Sequence, residues 1–199
     1  ADIWQPPYRR RALMLIVFHV FQAIGFFGFG NWLPALLSGQ GVGVTHSLLY
    51  AFIITLAYPL GPLLFVRFAN RFENKWQIVG SALGAMTFGT LFALQSSALG
   101  LIVCGVMITF CNAWLSFSYH SYQSELFPTN IRARAVGFCY SFSRLSTVFS
   151  SLLVGFFLEH FGTPGVLAFI VSSMLIVILT IGRFGPRTRN LALEDIAHA

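Results

Sequence analysis

Charge is what this sequence lacks. Its 199 residues include twelve Lys and Arg and six Asp and Glu, so 9% are charged, where a soluble domain carries roughly a quarter. No charged residue occurs from 12 to 66, between Arg11 and Arg67. An ordinary water-soluble globule is thereby excluded. Also missing are a His-Glu-x-x-His run, a Gly-x-Ser-x-Gly elbow and any pair of carboxylates inside an apolar stretch. A membrane-embedded enzyme needs such converging groups, so no enzymatic activity is expected. The three cysteines, Cys104, Cys111 and Cys139, lie within apolar runs and have no metal-ligand spacing. They read as small buried hydrophobes, and neither a metal nor a cofactor is expected.

What is present is apolar. Hydrophobic residues make up 56% of the chain and Phe alone contributes 22. A spanning helix takes about 20 mostly apolar residues, so six spans with short loops nearly fill this length. Runs such as residues 173–182, Ser-Met-Leu-Ile-Val-Ile-Leu-Thr-Ile-Gly, are solidly apolar rather than alternating, which excludes an outer-membrane barrel. Arg9, Arg10 and Arg11 resemble the basic start of a signal peptide. The apolar run behind them continues through Trp32 and Pro34, beyond the 7 to 15 or so residues of a signal core. It reads as a retained helix. The first residue is Ala1 rather than Met, which suggests a piece cut from a longer chain.

Apolar runs, charges and Gly/Pro breaks give six expected helices, at 12–37, 46–66, 76–94, 98–124, 134–158 and 165–182. The intervening loops alternate in character. Those at 38–45, 95–97 and 159–164 contain no Lys or Arg. The loop at 67–75 holds Arg67, Arg71 and Lys75, and the one after Glu125 holds Arg132, with Arg134 just beyond. Arg9 to Arg11 precede the first helix, and Arg183, Arg187 and Arg189 follow the last. Eleven of the twelve basic residues therefore share one side, which the positive-inside rule makes the cytoplasm. The expected architecture is an all-α membrane protein: a basic cytoplasmic segment 1–11, a six-helix bundle 12–182 and a cytoplasmic tail 183–199. Topology accounts for the net charge of +6, and a nucleic-acid role loses its support.

The twelfth basic residue, Arg144, lies ten residues past Arg134, roughly 15 Å along a helix and near the bilayer centre. A central arginine costs about 2.5 to 3.5 kcal/mol on insertion scales, so something specific must compensate it. Either an anionic ligand or nearby helix carbonyls would do so. The helices also carry small residues, among them Gly80 and Gly84 in a GxxxG spacing and Gly25, Gly28 and Gly30 in the first. Close helix packing is their expected use. Pro59, Gly61 and Pro62 should break the second helix.

The segment Glu125-Leu126-Phe127-Pro128-Thr129-x-x-Arg132 resembles a signature of the major facilitator superfamily, found in sugar-porter-like and organic-ion members between spans ten and eleven. The loop around Ala69, Arg71 and Lys75 is similar to the family's cytoplasmic Ala-Asp-Arg-x-Gly-Arg-Lys/Arg loop. Asn70 stands where Asp is usual, Glu73 replaces Gly, and Asn74 replaces a base. The first apolar run also looks like a seventh span of this superfamily. The resemblance implies the C-terminal six-helix half of the major facilitator fold, spans seven to twelve, facing an N-terminal six-helix half in the same native chain or a second subunit. It further implies a multi-pass protein of the plasma (inner) membrane, in contact with membrane lipids. Metabolite:proton symporters, organic anion carriers and aromatic acid carriers are the similar groups. The implied activity is secondary transport of a small organic anion or metabolite, proton-coupled, by alternating access. A non-transporting receptor or scaffold on the same fold is the alternative.

The resemblance also nominates residues. Organic anion carriers have an Arg at the offset of Arg144, where a guanidinium offers a bidentate fork to a carboxylate. Gln22 occupies the position of a common polar site residue. Asn112, Ser116, Tyr119 and Gln123, with His120 beside them, form a polar stripe expected to face the cavity; Asn112 could equally serve an interhelical hydrogen bond. Trp114 and Tyr58 could stack on an aromatic acid or simply pack. His19 reads as a packed histidine more readily than as a proton relay. Glu125, Arg71 and Arg132 make a candidate cytoplasmic gate, or solvated loop charges.

Overall fold

The computed structural model describes residues 2–6, 8–68 and 71–188. Ala69, Asn70 and the tail from 189 onward, with Arg189, lie outside the described residues. Among the described residues all regular structure is helical: a short 3-10 turn at Asp2–Trp4, then α1 (Tyr8–Gly39), α2 (Val44–Thr55), α3 (Leu60–Phe68), α4 (Asn74–Leu94), α5 (Ala98–Glu125) and α6 (Thr129–Phe184). Five segments are long and apolar enough to cross a bilayer: α1, the stretch Val44–Leu64 that includes α2, α4, α5 and α6.

The breaks have local causes. The second apolar run splits between α2 and α3 at the turn 56–59, because Pro59 cannot supply an amide and its ring crowds the preceding turn. Ser97 caps α5, its hydroxyl accepting from the Gly100 amide at 3.2 Å, in the manner of an N-cap. α6 counts 56 residues, which as one straight helix would be about 84 Å long. It bends at Gly162, where φ is 66° and ψ is −168°. That backbone region is essentially open to glycine alone, and Pro164 follows two residues on. In place of the six-residue loop expected at 159–164, a single glycine makes the turn, and helix continues on both sides.

Side-chain contacts to distant backbone gather the basic segments at one end of the bundle. Arg11 Nη1 donates to the Leu126 carbonyl at 3.1 Å, Lys75 Nζ to Gly185 O at 2.7 Å, and Tyr122 Oη to Pro186 O at 2.8 Å. At the opposite end Gln40 Nε2 reaches the Phe92 and Ala93 carbonyls at 3.4 Å, and Thr163 Oγ1 donates to Leu36 O at 3.3 Å. Two apolar clusters fill the space between. Leu15, Phe18, Ile78, Tyr122, Phe127 and Val177 anchor the one nearer the basic end, and Phe29, Leu36, Ile54, Phe92 and Val166 anchor the other. The outer surface is apolar too: Leu63, Val66, Leu94, Leu99 and Leu152 are all at least 70% exposed. An apolar exterior over an apolar interior is the pattern of a protein solvated by lipid.

Small residues set the helix spacing at Gly84, one of those expected to pack, and at Gly61, expected only to break its helix. A Cβ at Gly84 would lie 2.7 Å from Cys111 Sγ, and one at Gly61 2.6 Å from Ala113 Cβ. Gly80 has open space instead, so the GxxxG pair is not a two-point contact. Cys104, Cys111 and Cys139 are free thiols and buried.

Candidate functional site

A polar chain runs from the basic end of the bundle inward. The amide of Gln123, on the last turns of α5, lies between two imidazoles. Its Oε1 is 3.0 Å from His19 Nε2 on α1, and its Nε2 is 3.1 Å from His120 Nδ1. An amide nitrogen can only donate and its oxygen can only accept. The arrangement is therefore satisfied by a proton on His19 Nε2 and an unprotonated Nδ1 on His120. His19 is fully buried, and its Nδ1 has no hydrogen-bond partner among the described residues.

Tyr140 on α6 continues the chain. The His19 ring meets Tyr119 and Tyr140 edge-on, each at 5.5 Å between centroids, and His120 lies 6.0 Å from Tyr140. One helical turn beyond, Arg144 donates from Nη2 to Tyr140 Oη at 2.9 Å and holds its guanidinium 5.2 Å above the Tyr140 ring. The hydrogen bond goes to a phenol and not to a helix carbonyl. Arg144 and His120 are exposed, whereas His19 and Gln123 are buried. The group thus opens on one side of the bundle. Ser146, two residues past Arg144, donates to the Val20 carbonyl at 2.6 Å and fixes α6 against α1 beside it.

The remaining nominated residues divide. Gln22, one turn beyond His19, and Asn112, two turns before Tyr119, are both buried. Trp114 is directed elsewhere: its Nε1 donates to Gln77 Oε1 on α4 at 3.1 Å, in a cleft lined by Phe72, Trp76 and Phe110. Tyr58 packs against Phe26 at 5.8 Å beside a cavity of about 170 Å³ that also touches Asn31 and Thr109. Neither ring is brought to Arg144. Sequence reasoning missed Tyr140, although its spacing of four from Arg144 places the two on one helix face. It also missed the pairing of Gln123 with both histidines.

At the basic end Glu125 accepts from Asn74 Nδ2 at 3.0 Å, and the same nitrogen is 3.2 Å from Ser121 Oγ. Arg132 turns back on its own loop, Nε donating to Phe127 O at 3.2 Å and Nη2 lying 3.4 Å from Thr129 Oγ1. Arg71 is exposed. Asn74, which stands where the resembled loop has a base, is the residue that meets Glu125.

The fold and this site define a multi-pass helical membrane protein with a polar group on one side of its bundle. Residues 15–195 match the family model of the Major Facilitator Superfamily, and the chain belongs to that family, whose members are transporters rather than enzymes. YyaJ of Bacillus subtilis (strain 168), named as a candidate metabolite transport protein, is 32% identical over 88% of this chain and 39% of its own length. The niacin transporter NiaP of Acinetobacter baylyi (strain ATCC 33305 / BD413 / ADP1) is 27% identical over 98% of this chain and 45% of its own. Among solved structures, an auto-inhibited POT family peptide transporter superposes with a TM-score of 0.78 at 21% identity, over 92% of this chain and 39% of that one. The chain spans about two fifths of the length of the relatives it matches.

Proposed function

We propose that this chain is the C-terminal half of a secondary carrier that moves a small organic anion across the plasma (inner) membrane by alternating access. In this reading it contributes six spans, with the Gly162 bend dividing α6 into the last two, and both termini face the cytoplasm. An N-terminal six-helix half, in the same native chain or as a second subunit, covers the side on which Arg144 is exposed. The observation that carries the reading is the Arg144–Tyr140 pair at the open end of a buried polar chain. A guanidinium held by one phenol keeps donors for a carboxylate, and an arriving anion offsets its desolvation.

The same arrangement supports proton coupling. At an effective dielectric of about 20, an anion roughly 8 Å from a protonated imidazole stabilises it by about 2 kcal/mol. Anion at Arg144 and proton on the His19–Gln123–His120 chain therefore favour one another, and by linkage each strengthens binding of the other. Gln22 and Asn112 flank the cavity wall in this reading. Glu125 with Asn74, together with Arg71 and Arg132, closes its cytoplasmic side in this reading.

The test is uptake of labelled nicotinate, the anion suggested by the niacin transporter, and of a panel of small carboxylates into proteoliposomes holding the native carrier. Loss of charge-assisted hydrogen bonds in Arg144→Gln should weaken the apparent affinity by about ten- to a hundredfold, with membrane insertion unchanged. Saturable uptake with unaltered KM in that variant would refute the site. Binding without accumulation by the native protein would favour the receptor reading.

A further inference from the structure

A second basic site lies away from the polar chain, in a cleft between the start of α1 and the end of α6. Arg10, Leu13, Met14 and Val17 line one wall, a spacing of three, four and seven that places them on a single helix face. Thr180, Arg183 and Phe184 line the other, closed at the end by Arg11 and Pro186. The cavity measures about 580 Å³, inside the ~300 to 1,000 Å³ range of small-ligand sites. Its chemistry is divided by depth. Three guanidiniums stand at the mouth, at the end where the helices leave the apolar layer, and Leu13 and Val17, further along α1, are 47% and 38% exposed. The nearer of the three, Arg11, is buried and anchored to the Leu126 carbonyl, so part of the basic mouth is fixed by the fold. Arg10 and Arg183 line it from different helices.

We infer that this cleft binds the headgroup of an anionic phospholipid. Its phosphate would lie among Arg10, Arg11 and Arg183, with an acyl chain along Leu13 and Val17. A soluble phosphate compound would gain nothing from the apolar wall, and a zwitterionic lipid would bring a cation to a triple-cation mouth. An anionic lipid satisfies both halves of the cleft. The site is independent of substrate and of the transport reading.

The native protein containing this chain is purified in mild detergent, supplied with phosphatidylglycerol, cardiolipin or phosphatidylcholine, and examined by native mass spectrometry. Retention of the two anionic lipids over phosphatidylcholine is expected. With about 1 kcal/mol for each arginine near a charged lipid surface, Arg183→Gln should weaken retention about fivefold and Arg10→Gln/Arg183→Gln about thirtyfold. The Arg10→Lys/Arg183→Lys protein keeps the charge and should keep most of the binding, which separates a lost site from a lost fold. Equal retention of all three lipids, or retention unaffected by the double Gln substitution in a protein of native melting temperature, overturns the proposal. Displacement of the lipid by millimolar inorganic phosphate as readily as by short-chain phosphatidylglycerol would also overturn it, because the apolar wall would then play no part.

Discussion

Replacing Gln123 by leucine should expose how tightly the two histidines depend on one amide. The substitution is close to isosteric, so little cavity opens, but it removes the partner of His19 Nε2 at 3.0 Å and of His120 Nδ1 at 3.1 Å. The two losses are unequal. His120 is exposed and can turn to another partner, whereas His19 is fully buried and its Nδ1 already has no partner among the described residues. An orphaned buried donor costs about 1 to 3 kcal/mol, so Gln123→Leu should destabilise the protein by about 2 kcal/mol. His19→Phe alone leaves the Gln123 oxygen unpaired and should cost a similar amount. Removing both groups leaves a ring and an aliphatic chain of matching size, and a pair replaced together can be nearly neutral. The double variant should therefore lie within about 1 kcal/mol of the parent, giving a coupling energy of about 3 kcal/mol or more in a double-mutant cycle. Steric-trapping measurements of unfolding in bicelles, on all four proteins, supply the values. Additive losses would refute the inference that the imidazole and amide satisfy one another.

Two further predictions concern packing and the loop at the basic end. Gly84→Val should lower the thermal midpoint, with a cost of about 1 to 3 kcal/mol for overpacking, since its Cβ meets Cys111 Sγ at 2.7 Å; Gly80→Val, with nothing within 4 Å, should be nearly silent. Equal effects would show that α4 and α5 do not approach as described. Asn74→Asp places a carboxylate against Glu125 and should raise the accessibility to membrane-impermeant maleimide of a cysteine introduced at Ser121, whereas Asn74→Lys should lower it. An unchanged labelling rate in both would remove Asn74 and Glu125 from the closure.

Helices were legible in this sequence because lipid demands long uninterrupted apolar runs, and the runs at 12–37, 76–94 and 98–124 fall within α1, α4 and α5. The turn at Gly162 was legible as a break but not in its extent, because one residue at positive φ does what a polar loop does elsewhere. The periodicity of α5 already separated Trp114 from the stripe. At 100° per residue it lies about 200° round from Asn112, while Tyr119 returns to within about 20°. Tyr140 with Arg144 could be read from spacing for the same reason. The Gln123 pairing could not: it joins residues 104 apart in sequence, and no local pattern specifies which face of α1 a residue on α5 will meet. Asn74 was visible only as a departure from a motif, and its partner emerged from the packing of α4 against α5.

The contacts that fasten the basic end share a property with a wider reach. Arg11 and Lys75 each donate to a main-chain carbonyl, and Arg132 to a carbonyl and a hydroxyl. A neutral carbonyl accepts a cation's hydrogen bond without cancelling its charge, as a carboxylate would. These bonds therefore brace the fold without themselves erasing the electrical asymmetry present in the unfolded chain. A protein that must be oriented during insertion and stay oriented afterwards is served by the same residues at both stages.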